Sequence, residues 1–131
     1  MSKFLFLFLS GVMACTAKQP ESTLPAKAVA NIIFDTDIAG DYDDVGAMAL
    51  LHAFADKGEI EILATISCNA FETTVPTMSV LNTYFGRPDI ATGITKRENP
   101  NMSCAQKWAE AIVEKYPHAL KSNSEAKEAV S

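Results

Sequence analysis

Five aspartates fall within ten residues of this chain: Asp35, Asp37, Asp41, Asp43 and Asp44. They follow directly on an apolar run, Ile32, Ile33 and Phe34, and make up five of the sixteen acidic residues present. Carboxylates packed this closely repel one another, and a folded chain keeps them ionised only where a cation or several donors sit among them. The chemistry that suits such a density is oxygen ligation of a hard cation. Other reactive types are thinly spread. The two histidines, His52 and His118, and the three cysteines, Cys15, Cys68 and Cys104, have spacings that make no zinc pattern.

For the aspartates to converge, a strand must end among them and a helix must begin beside it. Residues 31–34 read as a short buried strand, apolar without alternation, as in a parallel sheet covered on both faces. Residues 38–42 contain Gly40 and read as a loop. A helix is predicted over residues 43–57, where Val45, Met48, Ala49, Leu51 and Phe54 recur at three- and four-residue spacing. Asp43 and Asp44 open it, where the helix dipole favours negative charge, and Lys57 with Gly58 closes it.

Residues 60–67 form the second predicted strand, ending at Cys68 and Asn69. A second helix over residues 73–85 is broken by Gly86, Arg87 and Pro88, and a third strand follows over residues 89–94. Ser103 is the expected cap of a third helix whose Ala105, Trp108, Ala109, Ile112, Val113 and Tyr116 share one face, with Pro117 as its stop. Trp108 on that stripe reads as core rather than as a platform for a stacked base. Ser122 and Glu125 stand at capping-box spacing and predict a further helix at the end of the chain. Strand and helix alternate, so the expected fold class is α/β, with an open, mainly parallel sheet and flanking helices. Ligands of such sheets bind beyond the carboxyl ends of the strands, where Asp35, Asp37 and Asn69 fall.

The chain has 131 residues, enough for one domain with its own core, and its hydrophobic content of 48% is ordinary for a globular protein. A net charge of −5 without a basic stripe argues against nucleic acid as a partner and against charge-driven membrane binding. Lys3 followed by an apolar run reads as an export signal over residues 1–14. Its ending, Val-Met-Ala-Cys15, is similar to a bacterial lipobox, which makes Cys15 the expected site of lipidation. Residues 15–30, with Pro20 and Pro25, read as a tether, and residues 31–131 as the domain. An export route permits a Cys68–Cys104 bridge, but nothing in their spacing requires one.

Three readings of the acidic stretch compete. An EF-hand loop starting at Asp35 places Asp37 and Gly40 correctly, but Gly46 occupies the place of the bidentate glutamate. A magnesium-dependent phosphatase of the aspartyl-phosphate kind matches Asp35-Thr-Asp37 alone and leaves Asp43 and Asp44 without a role. The third reading is a resemblance. Ile32-Ile-Phe-Asp-Thr-Asp-Ile-Ala-Gly-Asp-Tyr-Asp-Asp44 resembles the N-terminal signature of the inosine-uridine-preferring nucleoside hydrolases, with a longer loop than the best-known members. Ala64-Thr-Ile-Ser-Cys-Asn69 is similar to that family's second strand, and Gly86-Arg-Pro-Asp-Ile90 to its following turn. The three motifs cover residues 31–94.

This resemblance implies a nucleoside-hydrolase-like, Rossmann-like domain and hydrolysis of the N-glycosidic bond of ribonucleosides by a calcium-bound water. It makes Asp37 and Asp44 calcium ligands, Asp37 also the base, Asp43 and Asn69 ribose contacts, and Asp35 a supporting acid. Asp41 has no counterpart and reads as surface. The implied partner is a small nucleoside, the implied location the periplasmic side of a bacterial envelope, and a full-length form could be a homo-oligomer. Family members are more than twice as long, so this polypeptide is expected to be truncated and nearly inactive alone. A nucleoside- or ribose-binding lipoprotein without turnover is the non-enzymatic alternative.

Overall fold

A computed structural model of the chain describes residues 28–95 and 100–128. The export segment, Cys15 and most of the tether lie outside them. Among the described residues no helix is long and apolar enough to cross a membrane.

The elements alternate as expected. Strand β1 (Ala30–Thr36) leads to helix α1 (Asp43–Asp56), β2 (Ile60–Ser67) to α2 (Thr74–Tyr84), and β3 (Ala91–Ile94) to α3 (Trp108–Lys115), before a two-residue β4 (Lys127–Glu128). All pairings are parallel, and the strands lie in the order β1-β2-β3-β4. The fold is therefore α/β with an open parallel sheet. Gly58 and Gly86 terminate the first two helices with backbone φ of +67° and +76°, values that a side chain disfavours. In both turns the six-to-one and five-to-two bonds of a Schellman cap are made: Glu59 N–H to Phe54 O and Gly58 N–H to Ala55 O, then Arg87 N–H to Asn82 O and Gly86 N–H to Thr83 O.

Two sequence expectations about helices are corrected. Ser103 caps nothing: α3 begins at Trp108, after Lys107 in a left-handed conformation with φ 52°. Ala105 and Tyr116 accordingly lie exposed rather than on the buried stripe. Its end is as expected, because Tyr116 before Pro117 is extended. The terminal helix is a single 3₁₀ turn (Asn123–Glu125) followed by β4. Asn123 explains the arrest. Its Oδ1 accepts the Val75 N–H at 3.1 Å and its Nδ2 donates to Phe71 O at 2.9 Å, so the segment is clamped to the start of α2.

A third correction concerns the layers. His52 of α1 and Asn82 of α2 meet over Thr65 of β2, and Trp108 of α3 packs on the same core of Ile38, Met48, Val75, Met78, Leu81 and Ile94. All three helices cover one face. A strand order that follows chain order makes every right-handed crossover put its helix on the same side. Among the described residues no helix lies on the other face; Ile33 is 59% exposed and Leu63, bulged out where the β1–β2 register shifts, is 45% exposed.

The helix-covered face holds a polar chain. Arg87 pairs with Asp56 at 2.6 Å and directs Nη1 to His52 Nδ1 at 3.5 Å. With Nδ1 accepting, His52 is the neutral Nε2–H tautomer and donates to Asn82 Oδ1 at 3.1 Å. Asn82 Nδ2 donates to Thr65, whose hydroxyl is 3.4 Å from that of Thr92. His52 is fully buried, and burial first, then the Arg87 charge, hold its pKa below 6.5. A histidine with a depressed folded pKa takes up a proton more readily when unfolded, so stability is lost as pH falls below about 6.5. His52→Gln retains a donor towards Asn82 without a titrating group. Urea midpoints taken at about pH 7.5 and pH 5 should fall on acidification in the wild type and much less in this variant. Equal falls in both proteins would place the acid sensitivity elsewhere.

Candidate cation site

The corner after β1 is built by a few side chains that pull the loop inward. Thr36 is buried, and its hydroxyl accepts the Ile38 N–H at 3.1 Å while bonding the Asp44 carboxylate. Ile38 is fully buried in the core, and Ala39 beside it is equally buried with φ 90°, a region L-residues avoid. That strain is stored next to the acidic loop and is held by the burial on either side. Tyr42 packs its ring on Trp108 with centroids 5.6 Å apart, so α3 supports the loop from outside.

Asn69, at the end of β2, secures the corner from inside. It is fully buried. Its Nδ2 hydrogens are shared among Met102 O at 2.8 Å, Ile38 O at 2.9 Å and Asp37 O at 3.2 Å. Its Oδ1 accepts the N–H groups of Met102 at 3.0 Å and Phe71 at 3.1 Å. The amide is saturated by backbone and presents nothing to solvent. In this structure Asn69, of which a ribose contact is expected, ties the acidic loop to two other segments.

The carboxylates that converge are Asp41, Asp43 and Asp44, each offering an oxygen within 4.8 Å of the others. Asp37 adjoins Asp44 and repels its charge. Asp35 does not join them. It is exposed on β1, and its charge is felt by Cys68, whose thiol pKa is raised by burial first and then by Asp35, Asp37 and Asp44. Cys68 and Cys104 are free thiols.

The electrostatics show unrelieved crowding. Burial, opposed by the Thr36 bond and reinforced by Asp37 and Asp43, holds the Asp44 pKa above the ordinary carboxylate value. Asp44 Oδ2 is buried and has no hydrogen-bond partner. The shared hydrogen bond with Asp43 raises Asp41, and the same bond lowers Asp43, which also accepts the Asp44 N–H at 3.0 Å. These residues fit a hard cation. Oxygens bound to one calcium at about 2.4 Å lie at most about 5 Å apart, and an orphaned carboxylate oxygen is what such an ion would satisfy. The aspartate cluster can hold a metal ion.

Asp41, which has no counterpart in the resemblance and reads as surface, is exposed and stands among the three converging carboxylates. Its signal was its place two residues before Asp43 in a tight loop, where alternate side chains can turn to one side. Comparison of the chain with family models, with curated proteins and with solved structures returned no match. The resemblance to nucleoside hydrolases therefore rests on the quoted motifs alone.

Proposed function

We propose that this corner is the calcium and ribose site of an N-ribosidic hydrolase of the nucleoside-hydrolase kind. The observation that carries the reading is an orphaned, buried Asp44 oxygen among converging carboxylates at the carboxyl edge of a parallel sheet. Asp44 and Asp37 hold the cation, and Asp41 joins them. Calcium, when bound, supplies positive charge that acidifies nearby water and attracts vicinal hydroxyls. The chain's own groups do the rest. Asp43, kept ionised by its neighbours, accepts a hydrogen bond from a ribose hydroxyl. Asp37 is exposed and takes the proton from the attacking water. The remaining negative charge would stabilise the oxocarbenium-like sugar as the bond to the base breaks; the water oxygen bonds to the anomeric carbon, and the base leaves with the bonding electrons and takes a proton from solvent. Asn69 and Asp35 act at a distance, the first by holding the loop.

Calorimetry on the whole chain tests this. Inosine or uridine is expected to bind only once calcium is present, and base release above background marks turnover. Calcium-dependent binding without release fits both a hydrolase chain that is nearly inactive alone and a nucleoside-binding protein. Nucleoside binding indifferent to calcium, or magnesium-dependent cleavage of a phosphomonoester, would overturn the proposal.

The same reading places the chain on the periplasmic side of a bacterial envelope through a lipid on Cys15. Metabolic labelling with a fatty acid should mark the wild type and not Cys15→Ser. An unlabelled wild type would remove the anchor from the proposal.

A further inference from the structure

The two ends of the strands carry different chemistry. The strands all run one way and the helices return between them, so the helices end at the edge where the strands begin. The aspartates crowd the opposite, carboxyl edge. Among the described residues the exposed aromatic side chains are Tyr42, Phe54, Tyr84 and Tyr116. All but Tyr42 stand where helices end: Phe54 in the last turn of α1, Tyr84 at the end of α2 and Tyr116 just past α3. Tyr84, 72% exposed, and Tyr116, 51% exposed, share a groove of about 240 Å³ that Val80, Leu81 and Ile112 also line. Val29, itself exposed, leads into β1, so the tether joins the domain at this same edge.

We infer that this aromatic edge rests on the surface of a phospholipid bilayer, with its tyrosines at headgroup level and the acidic corner turned away. The inference builds on the lipid proposed at Cys15. Residues 16–28 span at most about 50 Å between that lipid and Val29. A contact held within such reach is in effect intramolecular, so a few aromatic side chains suffice to maintain it. Tyrosine suits the place, since its ring is apolar and its hydroxyl finds partners among the headgroups. Phe54 adds apolar area, and the Lys57 ammonium lies 5.8 Å from the centre of its ring. Charge at this edge is balanced: Lys57 and Lys115 are near Glu59 and Glu114 in the chain, and Arg87 pairs with Asp56. Zwitterionic lipid therefore fits it, in keeping with a chain that lacks a basic stripe. The aspartate-rich edge is unsuited to the same role, because anionic headgroups would repel it. Resting on the aromatic edge keeps the cation site open to solutes.

Brominated acyl chains quench an indole that reaches them, and the protein carries its own control. Trp108, the one tryptophan, packs on Tyr42 beside the acidic corner. The full chain is placed on vesicles of brominated phosphatidylcholine, with unbrominated vesicles as reference. The wild type should keep its emission. Tyr84→Trp, which sets a second indole about 5–10 Å into the headgroup–acyl boundary, should lose roughly half of its total. Adding Tyr116→Glu to Tyr84→Trp should restore most of that loss, and circular dichroism reports whether each variant still folds. Equal emission of Tyr84→Trp on both kinds of vesicle overturns the inference and leaves this edge to a protein partner or to solvent. Quenching of Trp108 in the wild type overturns it as well, because the acidic corner would then face the lipid. Fatty-acid labelling of the same preparation decides the lipid on Cys15 separately. A labelled chain without quenching at position 84 keeps the anchor and loses the contact; an unlabelled chain with quenching there keeps the contact and loses the anchor.

Discussion

Asn69→Ala is expected to destabilise the domain by on the order of 3–5 kcal/mol, a large part of what a domain of this size has in total. The side chain satisfies three carbonyl oxygens and two N–H groups from residues 37–38, 71 and 102. Truncation leaves those groups buried and unpaired, at about 1–3 kcal/mol each before relaxation and water entry. Asn69→Asp should do no better, since it turns the donor facing three carbonyls into another acceptor. The urea midpoint is the primary measurement. Trp108, the chain's one tryptophan, packs on Tyr42 of the same loop and reports its local detachment. If the midpoint held while only nucleoside affinity fell, Asn69 would be a ligand contact and its placement here would be wrong.

Asp44→Asn should move stability and cation affinity in opposite directions. The raised pKa of Asp44 means that the folded state, without a cation, keeps a proton that the unfolded chain gives up. Stability is therefore fully present below the ordinary carboxylate pKa of 3.8 and falls as pH rises through the higher folded value. Asparagine removes the charge that burial, Asp37 and Asp43 oppose, so the cation-free variant should melt higher than the wild type at neutral pH. Calcium affinity should drop by at least about tenfold, since a charged ligand is lost. Thermal unfolding with a chelator and with excess calcium reads both effects, because a ligand that binds only the folded state raises its midpoint. In the wild type, binding should also release protons and weaken on acidification. A variant whose melting point rises equally with calcium would show that Asp44 holds no ion.

What the sequence determined by itself is local. Apolar runs of strand length, three- and four-residue spacing with Gly58 and Gly86 beyond the helix ends, and Pro117 after the last helix each act within a turn or two of backbone. The crowding of the aspartates was legible for the same reason, since carboxylates a few residues apart in a loop cannot avoid one another. Tertiary structure decided the rest. Ser122 and Glu125 stand at the spacing of a helix start, yet Asn123 is held by the first turn of α2, almost fifty residues earlier in the chain, and a strand follows instead. Asn69 lies at a strand's carboxyl end, where ligands are bound, yet Met102 and Ile38 reach its amide first. Asp41 joins Asp43 and Asp44 because Ile38 and Ala39 are drawn into the core and turn the loop. Whether a sheet has one covered face or two depends on strand order, which no local pattern encodes. Hydrogen bonding and burial over long sequence separations settled which carboxylates meet, which polar groups are hidden and which face the helices cover.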